Sequence, residues 1–239
     1  MAIAFVNKSD STSAANNLVL VTKPVGTLDG HIMISWLYVE DATAGALPGL
    51  TAPDAGWNLL HDGYVNTAGK EFHAILYWKR AASEPADYTW SWTNGVWRFC
   101  TISTYSGCKA SGSPIDASAT GSIATGTTVV TPTVTAVGTD DMWLSGCYHW
   151  VGGTASQPGT WTERSDTGDV LQDAELLLSA AGPTGTATWT ALPATNSDIA
   201  ISTLLISTTT VPVVVDGTLG RLITTGVSSM TGIKSIRVY

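Results

Sequence analysis

Residues 72–107, FHAILYWKRAASEPADYTWSWTNGVWRFCTISTYSG, form the densest apolar and aromatic stretch of this 239-residue chain. Bulky side chains fall on alternate positions: Phe72, Ala74, Leu76 and Trp78, then Tyr88, Trp90 and Trp92, then Trp97 and Phe99. A period of two marks strands with one buried face. Glu84-Pro85 interrupts the first two runs, because proline cannot donate to a ladder. Asn94-Gly95 separates the last two and favours a type I′ hairpin, since both residues tolerate positive φ. The expectation is three strands at the middle of a β-sheet core.

Working outward, the same pattern continues. Residues 2–7 and 18–22 read as strands, the second stopped by Lys23-Pro24. Residues 31–40 form a long strand, with Ile32, Ile34, Trp36 and Tyr38 on one face and Met33, Leu37 and Val39 on the other. Apolar residues on both faces predict a strand covered from both sides. Residues 57–66 read as a strand bulged at Asp62-Gly63. Residues 106–126 read as a long polar connection, and 127–137 as β-branched strand. Residues 142–150 and 161–164 are further strands. Residues 171–181, LQDAELLLSAA, carry helical composition but sit between strands, and strand is the preferred reading. Residues 184–191 and 199–207 complete the set. About thirteen short strands at spacings of roughly 10–20 residues predict an all-β, two-sheet antiparallel sandwich spanning residues 1–208. After Thr208-Thr209-Thr210, residues 209–239 form a small appendage. Its short strands, at 211–215, 221–225 and 233–239, need a neighbour to pack on.

Composition excludes several classes. Hydrophobic residues make up 44% and charged residues only 13%, which is too apolar for a disordered chain. Lys and Glu are too sparse to clothe long amphipathic helices. The net charge of −8 speaks against nucleic-acid binding. No apolar run approaches the ~20 residues of a membrane span. MAIAFVNKSDSTS has neither a basic n-region nor an apolar h-region, so no secretory signal is expected and synthesis is expected in the cytoplasm.

Candidate chemistry is thin. No phosphate loop and no GxSxG elbow occurs. His31, His61, His73 and His149 are scattered, and single histidines on strands are usually hydrogen-bonded structural residues. Asp140-Asp141 and Asp166-Asp169 supply hard oxygen donors of the kind calcium takes, but acidic turn residues explain them as well. Glu84, Asp87 and Asp166 would have to converge across a cleft to act as a glycosidase pair. Cys100, Cys108 and Cys147 have no zinc spacing. Buried free thiols are expected, with a Cys100–Cys147 disulfide as the alternative. No catalytic residue, cofactor or metal is assigned. With ten tryptophans against three phenylalanines, most are expected to fill the core and the remainder to serve recognition. Trp57, Trp150 and Trp161 lie beside loops and are the candidate glycan contacts.

The blocks KPVGTLDGHIMISWLYVED (23–41), TAPDAGWNLL (51–60), AILYWKRAASEPADYTWSW (74–92), VTPTVTAVGTDDMWLSG (130–146) and WTERSD (161–166) stand in a recognisable order. With ISTYSG (102–107), SPIDASA (113–119) and DAELLLSAAGPTGTATWT (173–190), they resemble a β-sandwich, jelly-roll-like domain recurring in tailed-phage virion proteins and some bacterial surface proteins. The Gly56-Trp57 pair and the Glu84-Pro85-x-x-Tyr88-x-Trp90 block carry the resemblance, which covers residues 1–208. Gly30-His31 departs from the usual Gly-Asp, and residues 209–239 are additional.

The resemblance implies a non-enzymatic structural protein on the virion surface, either a capsid decoration protein or a tail or fibre component. Residues 209–239 would dock it on other virion proteins, and self-association would follow particle symmetry. The alternative is a lectin-like module recognising cell-surface glycans.

Overall fold

The computed structural model describes residues 2–11, 17–67, 69–94, 97–150, 153–194 and 197–208, together with two short strands beyond them. The first half of the chain forms β1 (Ala4–Asp10), β2 (Leu18–Thr22), β3 (Ile32–Val39), β4 (Asn58–Thr67), β5 (Lys70–Arg80), β6 (Asp87–Ser91), β7 (Arg98–Ser106) and β8 (Ile115–Thr120). The second half forms β9 (Val129–Val130), β10 (Thr135–Ala136), β11 (Met142–His149), β12 (Thr162–Thr167), β13 (Leu171–Leu177), β14 (Gly182–Pro183), β15 (Thr188–Trp189) and β16 (Asp198–Leu205). No helix occurs among the described residues.

Two five-stranded antiparallel sheets face each other, in the orders β1-β7-β3-β5-β4 and β12-β13-β11-β16-β8. Their facing sides meet in one apolar layer: Ile34, Trp36 and Leu76 from the first sheet against Leu144, Tyr148 and Ile201 from the second. The molecule is therefore the all-β sandwich that the alternation predicts. Apart from β8, each sheet comes from one half of the chain, and within each sheet non-consecutive strands are neighbours, as β1-β7-β3 and β13-β11-β16 are.

Each sheet also carries a cover on its outer side. A ribbon of β2 and β6 packs Val19, Val21, Tyr88 and Trp90 onto Met33, Leu37 and Ile75. Ribbons β9–β15 and β10–β14 cover the second sheet, with Val129, Ala136 and Trp189 on Trp143, Cys147 and Leu204. Trp189 donates its indole N–H to Ser145 Oγ at 3.0 Å, which pins that cover in place. Hence every residue of β3, β11 and β16 is buried, as the two-sided apolar pattern of residues 31–40 predicts.

Several local expectations change. β6 does not pair with β7 across Asn94-Gly95. It pairs with β2, while β7 sits between β1 and β3. Gly95 lies outside the described residues. The reason is on the β6 side chains: only Tyr88 and Trp90 are buried and Thr89 is exposed, which suits a cover strand and not a strand inside a doubly covered sheet. The positive-φ pair that a type I′ turn uses occurs instead at Gly168 (64°) and Asp169 (54°), between β12 and β13. The irregularity in β4 falls between Leu59 and His61, not at Asp62-Gly63. The polar connection at 106–126 contains the edge strand β8, held by backbone pairing to β16. Residues 171–177 are strand.

Cys100, Cys108 and Cys147 are free and buried. Cys100 faces the outer cover of the first sheet and Cys147 that of the second, so both sheets stand between them. Sheets pack about 10 Å apart, beyond the reach of a disulfide.

The two long flanks of the sandwich are closed by polar contacts. On one flank Asp10 accepts hydrogen bonds from Thr101 and from Ser165 Oγ, each at 2.7 Å, tying β1 and β7 to β12. On the other, His61 on β4 meets Ser118 on β8 at 3.0 Å.

The chain divides into two compact units, Met1–Thr208 and Thr209–Tyr239. In the second, β17 (Val214–Asp216) and β18 (Arg221–Ile223) form an antiparallel pair. The strand expected at 233–239 lies outside the described residues.

Candidate functional site

The three tryptophans expected to face a glycan have different surroundings. Trp57 is 6% exposed and packs edge-on against Tyr88 (5.4 Å) and Trp90 (5.0 Å). The Lys79 ammonium lies 6.0 Å from the Trp57 ring and 5.8 Å from Tyr88, and binds Asp54 (2.7 Å) and Glu84 (2.8 Å). Tyr88 donates its hydroxyl to Glu84 at 2.8 Å. The residues that carry the resemblance, Trp57, Glu84, Tyr88 and Trp90, thus form one cluster fastening the β2–β6 cover. Trp161 is 7% exposed and packs edge-on on Trp143 at 4.5 Å. Trp150 borders a cleft.

The candidate acids do not converge. Glu84 is taken up by Lys79 and Tyr88, and Asp87 is exposed at the start of β6. Asp166 accepts from the Gln172 amide at 2.8 Å. Asp141 accepts the backbone N–H of Gly138 (3.0 Å), which is turn chemistry, and that of the distant Ser207 (2.9 Å), which ties the turn to the chain beyond β16. Among the described residues no group of three or more His, Cys, Asp or Glu side chains is arranged to hold a metal ion. The histidines are hydrogen-bonded: His31 to the Leu28 N–H, His61 to Ser118, His73 to Asp62 and the Thr43 carbonyl, His149 to Gln172.

A second polar group lies between the sheets, where β1 and β7 face β12 and β13. Lys8 binds Asp10 and Ser165, and Arg164 binds Glu175 while its guanidinium lies 4.1 Å from the Phe5 ring. Asp173 is 1% exposed and accepts a long hydrogen bond from Ser103 at 3.4 Å, with Oδ1 unpartnered. Burial and the nearby Asp10 push its carboxyl well above the usual range. Asp10 lies below its ordinary value: burial raises it, but hydrogen bonds from Lys8, Ser165 and Thr101 outweigh burial.

The cleft beside Trp150 measures about 250 Å³ and opens at one end of the inter-sheet layer. Its position follows from strand alternation. On β3 the inward residues are Ile34, Trp36 and Tyr38, and the next on that side is Glu40. On β7 Phe99 points inward, and so does Trp97 before it. On β11 Tyr148 points inward, and Trp150 follows. Glu40 donates its backbone N–H to the Trp97 carbonyl at 2.7 Å, one step beyond the Val39–Arg98 pair, so the two residues are cross-strand neighbours. The β12–β13 turn closes the far wall with Val170 and Gly168. Gly168 presses on Phe99: a Cβ there would fall 2.2 Å from the ring, and φ is +64°. Trp97 is 51% exposed at the rim, and burial raises the Glu40 carboxyl. Reading the alternation one step beyond each strand end would have found Glu40 and Trp97 in the sequence. Only the pairing of β3 with β7 across from β11 brings them to Trp150.

None of the family models, curated proteins or solved structures compared with the chain matches it.

Proposed function

We propose that this chain is a non-enzymatic structural protein of a tailed-phage particle, a capsid decoration protein or otherwise a tail or fibre surface component. The ordered blocks of residues 23–190 support the family, and the antiparallel sandwich is the fold that family implies. The observation that carries the reading is the division of the chain after Thr208. The sandwich has its own core and its own covers, whereas Thr209–Tyr239 shows only the two-stranded pair β17–β18 among its described residues. A lone two-stranded pair is marginal in water and gains stability by packing on a larger surface. In this reading that surface is another virion protein or a second copy of the chain, and residues 209–239 are the docking arm. The polar clusters support a structural role: Glu84, one of the candidate acids, holds a cover with Lys79 and Asp54, and Lys8, Asp10 and Ser165 hold a flank.

The test is immunogold electron microscopy with an antibody to residues 1–208, on particles made with the full chain and with a chain ending at Thr208. Regular label on heads assigns a decoration protein, and label at one pole or on fibres a tail component. The shortened chain is expected to keep its fold and disappear from the particles. Absence of label on any particle would overturn the virion reading, and unchanged incorporation of the shortened chain would overturn the role of the arm.

A further inference from the structure

We infer that the cleft between Glu40, Trp97 and Trp150 is a binding site for a small organic ammonium group, such as a trimethylammonium head. This rests on the cleft alone and is independent of the virion reading.

The first observation is the company Glu40 keeps. Elsewhere in the sandwich several carboxylates removed from water have a cation at hand, Glu84 with Lys79, Glu175 with Arg164 and Asp10 with Lys8, while the buried Asp141 and Asp173 accept hydrogen bonds from N–H or O–H groups. Glu40 is half-buried, and among the described residues it has no ion pair. None of the described residues lining the cleft is basic. A carboxylate withdrawn from water without a counter-charge is held at a cost that a bound cation removes.

The second observation is what surrounds it. Four of the lining residues are aromatic: Tyr38, Trp97, Phe99 and Trp150. Aromatic faces carry negative quadrupole potential and attract cations, indole most strongly. A ring-lined recess with one carboxylate offers an organic ammonium both a counter-ion and an apolar seat. A neutral sugar is served less well. Its several hydroxyls each need a partner when taken from water, and the only polar side-chain groups among the described lining residues are the Glu40 carboxyl, the Tyr38 hydroxyl and the indole N–H groups of Trp97 and Trp150. The size agrees: about 250 Å³ lies below the ~300–1,000 Å³ typical of drug-sized ligands, so the cleft takes a head group and not an extended molecule.

Choline and dimethylbutanol, its neutral carbon isostere, separate charge from shape. Each is titrated into the full chain while indole N–H resonances are followed by NMR. Choline is expected to saturate with shifts confined to Trp97 and Trp150, and the isostere to bind at least about tenfold more weakly. Glu40→Gln keeps the shape of the side chain and should weaken choline about tenfold, with an unchanged urea midpoint. Trp97→Ala removes a half-exposed ring and should weaken choline without unfolding the chain. Equal binding of choline and dimethylbutanol would overturn the inference. So would choline binding unaltered by Glu40→Gln, or no response to choline. Saturation of the same resonances by hexoses, with none by choline, would reassign the cleft to glycans.

Discussion

Gly146→Ala probes how closely the two sheets approach. Gly146 lies on the inward side of β11, opposite the Trp36 indole of β3. A Cβ on Gly146 would stand 2.6 Å from Trp36 Cε3, 2.8 Å from Cζ3 and 3.1 Å from Tyr148 Cε2. Carbon atoms sit comfortably at about 3.5–4.0 Å, so the methyl overlaps the indole by roughly 1 Å. Trp36 is fully buried, with its ring edge-on to Tyr148 at 6.5 Å, and has little freedom to yield. Overpacking of this kind costs about 1–3 kcal/mol. Replacing a strand glycine returns about 0.5–1 kcal/mol by restricting the unfolded chain. The net loss is then about 0.5–2 kcal/mol, or a Tm lower by roughly 1–8 °C. Urea unfolding followed by tryptophan fluorescence reads the difference. Trp36→Phe frees space opposite the new methyl, so in the double variant alanine should cost about 1 kcal/mol less than in the parent. If Gly146→Ala proves as stable as the parent, or if the two changes are additive, the sheets do not meet through this contact and the reasoning fails.

Lys79→Met strands Glu84, whose side chain is 2% exposed, and should cost about 3 kcal/mol. Adding Glu84→Gln should recover part of that loss, and a midpoint unchanged by Lys79→Met would show that the cluster does not hold the cover. Asp173 gives a pH signature. The unfolded chain releases this proton near 3.8 and the folded protein retains it to a much higher pH, so stability falls as pH rises above about 4 until the folded acid also ionises. Asp173→Asn should flatten that fall between pH 5 and 8, measured as urea midpoints, and equal slopes in both proteins would refute it. Asp10 has the opposite sign: its stabilisation is present above about 3.8 and is lost as pH drops through its depressed folded value. Asp10→Asn should therefore destabilise at pH 7 and converge with the parent in acid, and an equal deficit at both pH values would count against the flank contact.

Much of the fold is legible in the residues because period two is a local property. Residues 18–22 are a strand as read, and the two-sided apolar pattern of residues 31–40 correctly announces a strand with cover on both faces. β8 is harder to see. IDASAT has small and polar side chains, and its place at the sheet edge comes from backbone bonds to β16, which leave no mark on side-chain pattern. Of the candidate residues, Trp57 and Trp161 lie beside loops in sequence, but Trp57 is buried against Tyr88 and Trp90 and Trp161 against Trp143. Burial of a ring at a strand end depends on what the distant chain lays across it. Trp150 escapes that cover and borders the cleft.

The order of residue types is enough to make this chain all-β, to mark which side of most strands is apolar, and to show that few charges are available for chemistry. Tertiary structure alone decided the partners: that β6 covers a sheet beside β2 instead of turning back onto β7, and that Glu40, Trp97 and Trp150 share one opening. The physical reason is that alternation records which face leaves water, a property of each short segment. Backbone hydrogen bonds, by contrast, are nearly indifferent to side-chain identity. Their partners are chosen by how the whole set of apolar faces can be buried at once.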